Sequence, residues 1–288
     1  MQKLIYVPPG TDIEDTQKCI KLTAEYPFLL SSVSGLGGVE TNIISSEIVG
    51  MNGEYFHGCR RSPRPIKCKI WVKGKNRSDM YAQRMKAIGI LSSNEQGILY
   101  YENDIISVKI QAMPKIPPDF NERICNYNSA NVEFYCCSPD WESISENQAD
   151  IAYLSGSGFR FPLSLNQVNF RQMRNDIIID NKGTADAPVT IVIEGPSETP
   201  AITNVTTGKT ITLERPLLSG ELLTIYTERG KKKVRLTSGN TETDAFRYLS
   251  PVSRFWELKP GINHIRYGSG GTAHTSIHIR YKERYSGV

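Results

Sequence analysis

The sequence lacks the features that mark several broad classes of protein. It contains no run of about 20 apolar residues that would span a bilayer, so no membrane insertion is predicted. The apolar stretch at its start is too short for a signal peptide. Only four histidines occur among 288 residues, and neither an HExxH nor a Gly-x-Ser-x-Gly motif is present. These absences exclude two common types of hydrolase site.

Cysteine is scarce and is poorly arranged for metal binding. None of the six cysteines belongs to a CxxC pair, and the adjacent Cys136 and Cys137 should point to opposite faces of a strand. His274 and His278 lie four residues apart in a predicted strand, which separates them by about 13 Å. We therefore expect reduced, buried thiols in a protein made in a cytosol, with no metal and no cofactor. The cysteines are Cys19, Cys59, Cys68, Cys125, Cys136 and Cys137.

Neither sign of charge dominates the chain as a whole. The formal net charge is +4, and it is spread over both halves, which does not indicate a nucleic-acid-binding domain. The strongest local bias lies between Arg60 and Arg77, where eight basic residues occur without an acidic one. Within this run Lys67, Lys69 and Lys73 alternate with apolar residues and so share one face of a predicted strand. We expect that face to be solvated or to contact an acidic neighbouring subunit, with non-specific phosphate contact as the alternative.

The first half has a mixed pattern of strands and one helix. Asn52-Gly53 is a strong signal for a hairpin turn, because both residues tolerate positive φ. Ser78 is predicted to cap a helix whose apolar face consists of Tyr81, Met85 and Ile88. A later strand over 105–112 is expected to end at the prolines that follow, which are Pro114, Pro117 and Pro118.

The second half predicts a β-sandwich. Its turn-forming glycines recur every 9 to 13 residues, and β-branched runs such as Val189–Ile193 and Leu222–Tyr226 lie between them. We place a first domain over 1–140, a polar linker over 141–155 and the sandwich domain over 156–288. The glycines are Gly183, Gly195, Gly208, Gly220, Gly230 and Gly239.

The second half contains only weak sequence signals for ligand binding. Thr207–Thr210 resembles the end of a phosphate-binding P-loop, but Thr203 stands where that loop needs glycine, so a hairpin turn is expected. A basic turn around Gly230 is expected to be solvated. Trp256 fits a core strand, with stacking on a sugar ring as the alternative. The carboxylates are scattered, so no catalytic residue is predicted and a hydrolase is the weakest interpretation.

A series of short segments in the second half resembles the distal tail proteins of long-tailed, siphovirus-type phages or prophages of Gram-positive bacteria. In the first half, Gly50–Gly53 and Val132–Cys136 followed by Pro139 also suit that family. The segments of the second half include Asn181–Thr184, Ile191–Gly195, Leu218–Leu222, Ser253–Leu258 and Tyr281–Val288.

The resemblance implies a mainly β, non-enzymatic structural protein. Its N-terminal mixed β domain with one helix would form a homohexameric ring, and its C-terminal domain would be a galectin-like sandwich. The ring would join the tail tube protein to a tail-associated lysin or fibre protein, beside the tape measure protein, with DNA only in transit. This places the protein at the tail tip of the virion after assembly in the host bacterial cytoplasm. The candidate residues for a subunit interface or the channel are Asn52, Gly53, Arg61, Arg64, Lys67, Lys69 and Lys73.

The alternative function is a carbohydrate-binding module. In that case the second domain would recognise a cell-wall saccharide through Trp256. Mass under native conditions separates the two hypotheses, because a ring contains several copies of the chain.

Overall fold

The computed structural model describes residues 2–15, 17–50, 52–92, 94–154, 175–269 and 274–288. The chain divides into two compact units, Met1–Ile144 with Arg284–Val288, and Ser145–Glu283. One α-helix is present in the described ranges, α1 at Arg77–Leu91. The strands are β1 Lys3–Val7, β2 Ile20–Leu22, β3 Phe28–Ser34, β4 Thr41–Glu47, β5 Glu54–Arg61, β6 Arg64–Lys73, β7 Gly97–Glu102, β8 Ser107–Ile124, β9 Tyr127–Cys136, β10 Trp141–Ser143, β11 Asn147–Leu154, β12 Asp176–Asn181, β13 Val189–Glu194, β14 Ala201–Asn204, β15 Lys209–Thr212, β16 Glu221–Tyr226, β17 Lys233–Ser238, β18 Thr241–Asp244, β19 Gly261–Gly268, β20 His274–Tyr281 and β21 Arg284–Tyr285.

The first unit is built on a nine-stranded sheet. Its main path runs β2-β1-β7-β8-β9-β6-β3, and β10 pairs with both β8 and β21. The predicted alternation is observed in β6, where Ile66, Cys68 and Ile70 are buried and the lysines between them are exposed. The strand therefore has one face on the hydrophobic core and one face toward solvent.

The three prolines do not end β8. This strand is 18 residues long and pairs with β7 through its first part and with β9 through the rest. Register shifts fall at Pro114/Ile116, Ile116/Asp119 and Phe120/Arg123. The sequence prediction was wrong here because bulges absorb the missing proline donors while the strand continues.

The helix starts two residues earlier than the sequence prediction. Asn76 is the N-cap, and its side chain accepts a hydrogen bond from the Asp79 backbone N–H at 2.8 Å. The buried residues are Met80, Ala87 and Leu91, whereas the predicted apolar residues Tyr81 and Met85 are exposed. The Asp79 carboxylate also accepts a hydrogen bond from the Tyr26 hydroxyl at 2.5 Å. The helix packs against β6 and β8, and this packing determines which of its residues are buried.

The second unit is a sandwich of two antiparallel sheets. The larger sheet has the order β11-β20-β13-β16-β17-β18, and the smaller has the order β12-β19-β14-β15. Ile191 and Ile279 from the larger sheet share one buried core with Ile202 and Ile265 from the smaller. Positive φ at Gly208, Gly220, Gly230 and Gly239 confirms the turns predicted there.

The predicted linker differs from the structure. Strand β10 lies within 141–155, and β11 pairs with β20 along its full length, from Asn147 opposite Tyr281 to Leu154 opposite His274. The polar residues of this segment belong to strands, whereas the sequence analysis predicted a linker because the segment contains few large apolar residues. Residues Arg284–Val288 belong to the first unit, where Tyr285 of β21 pairs with Trp141 of β10. The start of the predicted second domain, 156–174, lies outside the described residues.

No helix in the described part of the chain is long and apolar enough to cross a membrane.

Candidate assembly surface

Strands β4 and β5 form a separate two-stranded sheet in the first unit, which we call the arm. Almost every residue of both strands is exposed to solvent. Large apolar side chains are exposed on each strand, including Ile43 (68%) and Ile44 (55%) on β4 and Phe56 (60%) on β5. Several large exposed apolar side chains on one small element are typical of an interaction site, so the arm is a candidate contact surface.

The tip of the arm contains the predicted turn residues Asn52 and Gly53. The connection between the strands is six residues long, from 48 to 53, rather than a two-residue turn. Gly53 has φ +90°, a left-handed conformation that explains the need for glycine. Val49, in the same connection, is fully exposed. Sequence analysis located the turn but missed the exposed apolar residues, because the arm shows no alternation that separates a buried face from a solvated one.

The charged side chains at the tip of the arm are both glutamates. Glu47 lies directly opposite Glu54 in the β4–β5 pairing. Like charges placed opposite each other repel, although the Ser45 hydroxyl donates a hydrogen bond to the Glu54 carboxylate. Residues 41–59 contain no lysine or arginine. The tip is therefore an acidic and apolar surface.

The second candidate surface is the lysine face of β6, formed by Lys67, Lys69 and Lys73. Lys67 lies 4.0 Å from Glu133, and the Lys73 ammonium lies 5.3 Å from the centre of the Tyr127 ring. Lys69 has no acidic partner among the residues that the structure describes. A groove of about 290 Å³ lies on this face and includes Ser32, Ser34, Lys67, Lys69, Ile116 and Glu133 in its lining.

Arg61 and Arg64 do not belong to that exposed face. Arg61 forms two hydrogen bonds to the Asp140 carboxylate at 2.5 and 2.6 Å, so its charge is neutralised within the chain. Arg64 is 0% exposed and shares the buried side of β6 with Ile66. Its assignment to an interface or channel was wrong, because the alternation of the strand turns it inward.

The guanidinium of Arg64 is instead a structural anchor. It donates to the carbonyl oxygens of Pro139 (2.8 and 2.9 Å), Gly35 (2.5 Å), Ser286 (2.6 Å) and Gly37. Burial lowers the pKa of this guanidinium, which nevertheless stays charged. Gly35 must be glycine here, because an added Cβ would lie 2.1 Å from the Pro65 carbonyl oxygen.

Trp256 is also buried. It is 1% exposed, and its indole N–H donates to the Ile202 carbonyl oxygen at 3.5 Å inside the core of the second unit. The predicted stacking on a sugar ring was wrong for this residue, since a side chain that is 1% exposed cannot present a ring face, although Trp256 is among the residues that line a cavity in the second unit.

The cysteines divide into two groups. Cys19, Cys68 and Cys136 are buried, whereas Cys59, Cys125 and Cys137 are exposed, so the expectation that all were buried was wrong. Burial raises the pKa of the Cys68 and Cys136 thiols to about 12, which keeps both protonated at neutral pH. Within the described ranges, no group of three or more His, Cys, Asp or Glu side chains could hold a metal ion.

Two family models match this chain. Residues 16–136 match the phage tail protein RIFT-related domain, and residues 182–285 match the C-terminal domain of the siphovirus-type tail component. The chain matches no curated protein.

Two solved structures give further comparisons. The Dit protein of phage SPP1, described as a paradigm of the hub adsorption apparatus in phages that infect Gram-positive bacteria, is 14% identical with a TM-score of 0.65, and the match covers 99% of each chain. A chain of the phage P2 baseplate, in its activated conformation with calcium, is 12% identical with a TM-score of 0.49 over 97% of each chain. The likeness to the SPP1 protein shows the fold. Because both tail-protein domains are matched in sequence order, this chain belongs to the siphovirus-type distal tail proteins.

Proposed function

We propose that six copies of this chain close into a ring that joins the tail tube protein to a tail-associated lysin or fibre protein. The tape measure protein and then DNA would pass through the channel of the ring. The proposal depends above all on the arm, whose apolar side chains are exposed on both strands. A ring requires one surface of each copy to fit a different surface of the next copy, and the arm and the lysine face provide two such surfaces.

The arm gains stability when a second copy covers it. A two-stranded hairpin without further packing is only marginally stable in water. Ile43, Ile44 and Phe56 are each more than half exposed in the single chain. Full burial of an apolar side chain of this size contributes about 1.5–3 kcal/mol relative to exposure. Because Ile43 and Ile44 are consecutive and point to opposite faces of the arm, docking of one face buries only part of this set, and burial of even one or two of these side chains supplies a substantial driving force for association.

Charge selects the surface on which the arm docks. The tip carries Glu47 and Glu54 without a neighbouring cation on the arm. The lysine face offers Lys67 and Lys69 beside a groove that includes the exposed Ile116. A lysine of the next copy placed near the two glutamates relieves their mutual repulsion and fixes the register of the contact.

The role we propose is structural rather than enzymatic. The ring would be part of the virion tail tip, and it would be assembled in the host bacterial cytoplasm. The lysine face then serves subunit contact and does not capture DNA.

A charge exchange tests the arm contact. Glu47→Lys/Glu54→Lys and Lys67→Glu/Lys69→Glu should each shift the protein toward monomer, because each creates like charges across the contact. The variant that carries all four changes should recover the ring, since the pairs are restored in the opposite sense. Light scattering gives the mass of each variant. Lys231→Glu/Lys233→Glu in the second unit is the control with the same change in net charge as Lys67→Glu/Lys69→Glu, and it should assemble like the wild type.

Failure of the four-fold variant to recover any ring, after both double variants have lost it, would contradict docking of the arm on this face. Salt-sensitive binding of duplex DNA that Lys67→Glu/Lys69→Glu abolishes would show that the face has a nucleic-acid partner instead.

A further inference from the structure

A cavity of about 230 Å³ in the second unit is lined mainly by polar side chains. Four segments that are far apart in sequence meet there. They contribute Asp186, then Thr207 and Lys209, then Arg229 and Lys232, and then residues between Phe255 and Lys259. The P-loop-like segment and the basic turn, two motifs that ring assembly does not use, therefore face one space.

The cavity has an excess of positive charge. Its lining includes four cationic residues, Lys209, Arg229, Lys232 and Lys259, and two carboxylates, Asp186 and Glu257. Lys259 lies 2.6 Å from Asp186, and Arg229 lies 3.4 Å from Glu257, so two of the cations are paired within the chain.

The other two cations are available to a ligand. Lys209 and Lys232 have no acidic partner in the part of the chain that the structure describes. The Lys232 ammonium lies 5.1 Å from the centre of the Phe255 ring, a contact that positions the charge without neutralising it. Two unneutralised ammonium groups beside one cavity favour an anion with several acceptor oxygens.

We propose that this cavity binds a sugar phosphate, with Lys209 and Lys232 on the phosphate and with Asp186 and Glu257 accepting hydrogen bonds from the sugar hydroxyls. The volume is smaller than the roughly 300–1,000 Å³ of pockets for drug-sized ligands, and it suits one ring with one phosphate. A nucleic-acid backbone fits less well, because its successive phosphates would lie near the two carboxylates. The site lies within the second unit and does not depend on ring formation.

Calorimetric titration of the full chain with glucose 6-phosphate, glucose and inorganic phosphate tests the site. Glucose 6-phosphate should bind at least about tenfold more tightly than either other probe, because only it uses both the cations and the carboxylates. Lys209→Ala/Lys232→Ala should weaken this binding about tenfold or more, and both side chains are exposed, so the fold is retained.

Lys231→Ala is the matched control, because Lys231 belongs to the same turn but does not line the cavity and pairs with Glu228 at 3.3 Å. It should change the affinity by less than about twofold. Absence of binding, or equal binding by the wild type and Lys209→Ala/Lys232→Ala, would overturn the site. Equal affinity for inorganic phosphate and glucose 6-phosphate would overturn the sugar assignment. Tighter binding of a single-stranded oligonucleotide, lost with the same two lysines, would overturn the ligand class.

Discussion

Replacement of Arg64 by methionine should strongly destabilise the first unit. The guanidinium donates hydrogen bonds to four main-chain carbonyl oxygens, which belong to Gly35, Gly37, Pro139 and Ser286. These residues lie in three segments, so one side chain connects β6 with the 35–37 loop, the connection between β9 and β10, and residues 284–288. Methionine has nearly the same length but donates no hydrogen bond.

The size of the destabilisation follows from the carbonyl oxygens that Arg64→Met leaves without a hydrogen-bond donor. Each buried polar group left without a partner costs about 1–3 kcal/mol. Removing the charge also relieves the desolvation that lowers the pKa of Arg64, and some carbonyls regain water, so the four costs do not simply add. We expect the free energy of unfolding of the first unit to fall by about 3–5 kcal/mol. Arg64→Lys keeps the charge but not the planar fork, and it should recover only part of this loss.

Native-state hydrogen exchange measures this effect unit by unit. The amides of Ile66 and Phe134 report on the first unit, and those of Ile191 and Ile279 in the second unit are the internal control. Lys21→Met changes an exposed residue of β2, in the same sheet but outside both candidate contact surfaces, and should alter stability by less than about 0.5 kcal/mol. If Arg64→Met destabilises the first unit as little as Lys21→Met does, the anchoring role is refuted.

Two further substitutions test local features of the units. Asn76→Ala removes the helix N-cap and should cost about 1 kcal/mol in chemical unfolding, whereas Ser78→Ala, at the position favoured by sequence, should cost nothing; equal effects would contradict the observed cap. Hydrogen bonds from Arg215 hold the pKa of Glu221 below its usual value of 4.5, so this carboxylate stabilises the second unit above that pH and loses the contribution as the pH falls through its folded pKa. Glu221→Gln should therefore be about 2 kcal/mol less stable near neutral pH, with a difference that shrinks below pH 4.5, and a constant difference across that range would contradict the ion pair.

The regular parts of the fold could be predicted from sequence because they depend on local periodicity. The alternation in β6 and the glycine turns of the second unit are short-range signals, and the structure confirms both. Other features depend on long-range contacts. Arg64 occurs in a basic run, and only the carbonyls that surround it, including that of Ser286 from the chain terminus, explain its burial.

The candidate surface was predictable only in part. The lysine face follows from alternation, but the arm does not, because its apolar residues resemble a buried strand in sequence and are exposed in the structure. The cavity of the second unit was also hidden, since Lys209 and Lys232 belong to separate turns that only the sandwich brings together. The sequence indicated each of these two turns separately, and only the tertiary structure shows that both line the same cavity.

The mass of the assembled particle tests the proposed ring most directly. Native mass spectrometry of the full chain, alone and with the tail tube protein added, should show a species of about 194 kDa, which corresponds to six copies of the 32.3 kDa chain. The same species should disappear in Glu47→Lys/Glu54→Lys. A protein that stays monomeric or dimeric at high concentration, and remains so with the tube protein present, would contradict the ring.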